Sequence, residues 1–178
     1  MGVMNGDTIE NNGRSITEEE RLIHILRRPG WLCLRLSDLL DQRETCRQRC
    51  TRTTVRYGNT VPSGCGYTWG DLALAELANM DWKLASCRKQ LAEASDLADS
   101  LLRCVENLPG RTAIRDADLL RLYYLRGLSG EALRVAMEQA GYPVCIQTIY
   151  SWRRAALRSG VLALAELDKA EAALTTQN

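Results

Sequence analysis

Between Leu77 and Leu108 an apolar or small residue occupies every a and d position of five successive heptads. Leu77, Leu84, Leu91, Ala98 and Val105 fall at a, and Met80, Cys87, Ala94, Leu101 and Leu108 at d. Ten such positions in a row predict a coiled-coil-type helix over about 71–108, ended by Pro109-Gly110. Upstream, Leu32, Leu36, Leu39, Cys46 and Cys50 recur at helical spacing and predict a helix over 31–52. A shorter helix over 17–28 has Leu22, Ile23 and Leu26 on its apolar side. Thr17 and Glu20 form a capping box at its start, and Pro29-Gly30 is expected to stop it. Four glycines and a proline within 51–70 predict a loop over 53–70. Residues 1–14, polar and rich in Gly and Asn, are expected to be disordered.

No segment sustains a period of two, so the expected class is all-α: a long antiparallel, coiled-coil-like arm over 15–108, followed by a C-terminal helical domain. At roughly 1.5 Å per residue the longer arm helix spans about 55 Å and its partner about 33 Å. An antiparallel pair therefore leaves residues 94–108 overhanging, where the apolar face widens to include Leu97, Leu102 and Cys104. The helix over 17–28, the C-terminal domain or a second copy of the chain are the candidates to cover it.

Charge adds to this picture locally rather than globally. The 178 residues carry a formal net charge of +1, which gives no whole-molecule argument for binding a polyanion. Within the arm, however, Arg35, Arg43, Arg47, Arg49, Arg52 and Arg56 outnumber Asp38, Asp41 and Glu44, while residues 69–108 carry seven acids against four bases. The two arm helices are thus charge-complementary. There is no apolar run of 18 residues and no signal-peptide pattern, so a cytoplasmic protein without membrane contact is expected. The seven cysteines form no CxxC pair and there is one histidine, His24, inside the first helix. Small-hydrophobe roles for the thiols are favoured over a metal site at Cys46 and Cys50, and no cofactor is expected.

Residues 111–164 predict a three-helix domain. A first helix over 113–126 has Leu119, Leu122, Tyr123 and Leu125 inward and closes at Gly127. Ser129 can cap a second over 130–140, with Leu133, Ala136 and Met137 inward, and Gly141 can take the left-handed conformation that ends it. A third helix over 145–159 has an apolar stripe of Ile149, Trp152, Ala156 and Leu157. Gln147, Thr148, Tyr150, Ser151, Arg153, Arg154 and Arg158 are expected to point away from it, a polar, Arg-bearing face suited to a groove edge flanked by phosphates. The Ala-rich tail over 165–178 is a further helix or an extension of the third.

The order LRLYYLRGLSGEALRVAMEQAGY followed by IYSWRRAALRSGVLAL resembles the C-terminal helix-turn-helix of sigma factors, region 4. The whole arrangement resembles small phage- and prophage-encoded transcriptional regulators of that type, over roughly residues 31–164 and most specifically 119–157. The turn GYPVCIQTIY is about two residues longer than in that family and contains Pro143, leaving the start of the third helix open between Val144 and Gln147.

The resemblance implies a sequence-specific transcriptional regulator of phage late or packaging genes, with double-stranded DNA as partner and helix 145–159 in the major groove. Arg153 and Arg154 are the expected base or phosphate contacts, and Arg158 a backbone contact. Host RNA polymerase and a second copy of the chain are candidate partners of the arm. The alternatives are a small terminase-like DNA-packaging protein, or an adaptor that binds RNA polymerase without DNA. No enzyme is expected: Asp116 and Asp118 open a helix, where they suit its dipole, and there is no phosphate-binding glycine loop or nucleophile motif.

Overall fold

The computed structural model describes residues 16–56 and 69–175, and among them every regular element is helical. Helix α1 spans Glu18–Arg56, α2 Trp69–Glu106, α3 Ala113–Leu120, α4 Gly130–Gln139 and α5 Ile146–Thr175; a π-helical turn, Arg121–Leu125, extends α3. The expected disorder of residues 1–14 and the middle of the expected 53–70 loop lie outside the described residues, whereas residues 53–56 and 69–70 at its ends are helical.

The capping box forms as expected: the Thr17 amide donates to Glu20 Oε2 at 2.9 Å and the Glu20 amide to Thr17 Oγ1 at 3.3 Å. Pro29, however, does not stop the helix, and one α1 replaces the expected pair over 17–28 and 31–52. A proline inside a helix costs about 3 kcal/mol, because it removes a donor and its ring crowds the preceding turn. Leu22 and Leu26 before Pro29 and Leu32 after it are all buried, and burying each stabilises by about 1.5–3 kcal/mol. Burial on both sides outweighs the break.

Helices α1 and α2 pair along their length as the arm. All ten a and d positions of the heptad stripe are buried or half-buried, with Leu84, Cys87, Ala94, Ala98, Leu101 and Val105 fully so. Arg43 Nε binds Asp81 Oδ1 at 2.7 Å across the pair, placing the complementary charges side by side. In the outer part a small cluster of Leu32, Cys87 and Ala94 is flanked by half-buried Leu36, Leu39 and Leu91. Cys46 Sγ donates to Glu76 Oε2 at 3.3 Å, while the Cys50 side chain is outside the described residues.

The overhanging end of α2 is covered by two of its candidate neighbours at once. Leu22 and Leu26 of α1 and a set from α3, α4 and α5 join Ala98, Leu101, Leu102 and Val105 in one apolar cluster. Leu102 is buried and Cys104 half-buried as expected, but Leu97 stays exposed because it lies on the side away from both. The core therefore does not break at the Pro109-Gly110 punctuation. It runs from the base of the arm into the C-terminal helices, hereafter the head.

Helix α5 is one 30-residue element, so the segment after residue 164 continues it. Two contacts seat this extension on α1. Gly160 packs so closely that a Cβ there would lie 2.6 Å from Leu22 Cδ2, and Arg21 pairs with Asp168 at 2.6 Å. The Arg21 guanidinium holds the Asp168 carboxyl below its ordinary range through that hydrogen bond.

Candidate nucleic-acid interface

The head places α4 and α5 across a short turn whose geometry is set by Gly141. At φ +92° this residue adopts the left-handed conformation. Its amide donates to the Glu138 carbonyl at 3.0 Å, and the Tyr142 amide to the Met137 carbonyl at 2.9 Å, the paired bonds of a Schellman ending. With Pro143 in the turn, α5 begins at Ile146, inside the range that the sequence left open. Ser129 precedes α4 but its hydroxyl makes no capping bond. Instead, the Gly130 amide at that helix start donates to the Tyr150 hydroxyl at 3.3 Å, tying α4 to α5.

The first helix of the domain is also altered. Its last turn is a π turn, Arg121–Leu125, closed by the Arg126 amide on the Arg121 carbonyl at 2.9 Å and by Gly127 at φ +67°. One extra residue in the turn rotates the side chains that follow. Leu119 and Leu122 are buried as expected, but it is Tyr124, 3% exposed, rather than Tyr123 that enters the core.

On α5, Ile149, Ala156 and Leu157 are buried and Trp152 is half-buried, so the expected apolar stripe faces the core. Opposite it, Gln147, Ser151, Arg154 and Arg158 are exposed and follow one another at intervals of four, three and four residues, one straight ridge on the outer face. Neither Arg154 nor Arg158 meets a carboxylate among the described residues. The contrast is Arg134 on α4, which Glu131 and Glu138 neutralise at 2.7 and 2.9 Å.

Three of the expected contact residues stand elsewhere. Arg153 lies only about 40° round the helix from Ile149, on the inward side. It is half-buried, donates to the Tyr123 hydroxyl at 3.0 Å and lies over the Tyr123 and Tyr124 rings at 4.8 and 5.9 Å. Its expected place on the outward face is therefore corrected. Tyr150, although partly exposed, uses its hydroxyl on Gly130 and stands edge-on to Tyr123 at 6.4 Å. Thr148 is half-buried at the helix start, with its hydroxyl 3.2 Å from Cys145 Sγ. That hydroxyl and the backbone amides of the first turn hold the exposed Cys145 thiol below its ordinary pKa.

Asp116, expected only to suit a helix dipole, is a buried crosslink. It accepts from Ser159 Oγ at 2.9 Å, from Thr112 Oγ1 at 3.3 Å and from Arg115 Nη2 at 2.9 Å. Arg115 in turn covers the Trp152 ring at 4.2 Å. Asp118 pairs with Arg121, which also reaches Glu106 of α2 at 2.8 Å. These links hold α5 at a fixed pose on α3 and the arm. An aspartate and a serine 43 positions apart gave no local signal in the sequence.

Comparison of the chain with protein-family models, with curated proteins and with solved structures finds no match.

Proposed function

We propose that the chain binds duplex DNA and acts as a sequence-specific transcriptional regulator, with the Gln147, Ser151, Arg154 and Arg158 ridge of α5 in the major groove. The observation that carries this reading is the pair of exposed arginines one helical turn apart, without carboxylate partners among the described residues, on a helix locked to its neighbours by Asp116, Trp152 and Tyr150. A guanidinium fork matches a guanine edge or a phosphate, and the fixed pose reduces what must be ordered on binding. Arg154, one turn nearer the helix start than Arg158, suits a base edge, and Arg158 a flanking phosphate. Phage late or packaging genes are the targets that the likeness to small phage regulators implies.

The test is binding of the full chain to duplexes selected from a random pool, followed across salt concentrations. Arg158→Ala should reduce the salt slope by about one for every duplex. Arg154→Ala should cost about 1–3 kcal/mol against the selected site and relax one base position. Unaltered affinity of the double variant would overturn the assignment.

A second reading has its own support. Trp31, Leu34 and Trp82 on the arm are 57%, 69% and 69% exposed, which favours a protein partner there, with RNA polymerase the candidate. An adaptor would bind polymerase and show no salt-dependent association with DNA.

A further inference from the structure

The π turn brings two cations onto one buried ring. Arg27 of α1 lies over Tyr124 with its guanidinium carbon 5.5 Å from the ring centroid, and Arg153 of α5 at 5.9 Å. The Tyr124 hydroxyl is buried and makes no hydrogen bond of ordinary geometry. Arg153 makes one bond, to Tyr123, and neither arginine meets a carboxylate among the described residues. A guanidinium over an aromatic ring interacts through its charge and its face, which leaves the in-plane N–H donors free. Two like charges near one ring repel each other in a partly desolvated setting, and an oxyanion that bridges them relieves this. Round α5, Tyr150 lies between Arg153 and Arg154 and stands edge-on to Tyr123, so Arg153 flanks the outer ridge on one side.

We propose that Arg27 and Arg153, floored by Tyr124, form a seat for one phosphate of the DNA backbone, so that the arm contributes directly to the nucleic-acid interface. This rests on the DNA-binding reading of α5. It also narrows Arg153, expected as a base or phosphate contact, to a backbone contact and predicts that the head without the first half of α1 lacks one phosphate ligand.

The experiment compares the full chain with its Arg27→Ala, Arg27→Lys and Arg28→Ala variants, measuring affinity for the best selected duplex across salt concentrations. Loss of one phosphate contact should lower the magnitude of the salt slope by about 0.9 in Arg27→Ala. Arg27→Lys should restore it, and Arg28→Ala, exposed on the same helix without the tyrosine contact, should match the parent. Thermal melting monitors the fold, and the uncharged Arg27→Gln carries the same comparison if the alanine variant melts early. A parent-like slope in Arg27→Ala or Arg27→Gln, with binding still sensitive to Arg154→Ala, overturns the seat and leaves the DNA-binding reading standing. A parent that shows no salt-dependent binding to any duplex overturns both. Inorganic phosphate that shifts the Arg27 and Arg153 Nε–H resonances in a chain that ignores duplex DNA overturns the backbone as the source of the phosphate.

Discussion

The outer arm and the head solve the same problem, covering one face of α2, with very different means. Outward from Leu32 the seam closes with Leu32, Cys87 and Ala94, and much of its leucine surface is only half-buried. Toward the other end, the same heptad stripe meets α1, α3 and α5 together, and Leu101, Leu102 and Val105 have no exposed surface. A two-helix seam shields one side of each residue, whereas a four-helix junction shields all sides. Independence in sequence, marked by Pro109-Gly110, thus does not translate into independence of the core. The base of the arm belongs energetically to the head, and only the outer arm stands as an appendage.

The largest expected effect tests that division directly. Leu26→Ala, within the shared core, should destabilise by about 2–5 kcal/mol, the range for a buried leucine whose cavity cannot collapse. Leu39→Ala, in the half-buried outer seam, should cost less than half as much because solvent already reaches it. Urea titrations read both values, and equal losses would mean that the arm and head are stabilised alike.

A smaller effect is expected where α1 and α5 touch. Gly160→Ala inserts a methyl 2.6 Å from Leu22 Cδ2 and 3.3 Å from Leu120 Cδ1. Overpacking costs about 1–3 kcal/mol, and the better helix propensity of alanine recovers up to about 1 kcal/mol. The net result should be a modest loss. Combining it with Leu22→Ala should restore part of what the two single variants lose, since the added methyl then fills space that the leucine vacated. Strict additivity would show that the helices simply separate.

Legibility follows the same line between local and distant determinants. The heptad stripe, the Thr17–Glu20 box, the Gly141 ending and the stripe of Ile149, Ala156 and Leu157 depend on residues within a few turns of one another, and periodicity alone exposes them. Pro29 was misleading because its local penalty is offset by Leu22, Leu26 and Leu32, whose partners lie on α2 and α5. The extent of the core and the inward turn of Arg153 were hidden for a related reason. Arg153 finds Tyr123, 30 positions earlier, only after a π turn rotates that ring toward it. Its charge suggested an outward face, but its angular place beside Ile149 already pointed inward. Charge was the weaker guide.

Tyr124 supplies a pH test of the junction between arm and head. Burial raises its pKa above the ordinary value of 10.0, opposed in part by the charge and a weak hydrogen bond of Arg153 and by the charge of Arg27. A group whose folded pKa is raised contributes stability that is intact below its unfolded pKa. That stability is lost as pH rises from about 10 through the higher folded value. Melting temperature should therefore fall above about pH 10, and Tyr124→Phe should flatten the fall while changing neutral-pH stability little, because the hydroxyl makes no hydrogen bond of ordinary geometry. An unchanged alkaline slope in Tyr124→Phe would assign the titration to other groups.

The smallest effect concerns two exposed thiols, Cys145 at the start of α5 and Cys33 in the middle of α1. The Thr148 hydroxyl and the first-turn amides favour the Cys145 thiolate and lower its pKa. The thiolate is the species that alkylates. At neutral pH iodoacetamide should accordingly label Cys145 several times faster than Cys33, as followed by peptide mass spectrometry. A saturating duplex should slow labelling of Cys145 and leave Cys33 unaffected, since Cys145 adjoins the proposed groove-facing ridge and Cys33 does not. Equal rates in the free protein would mean that the α5 start does not stabilise the anion. Equal protection of both thiols would mean that the duplex covers the arm as widely as the head, and the ridge would no longer be the main contact.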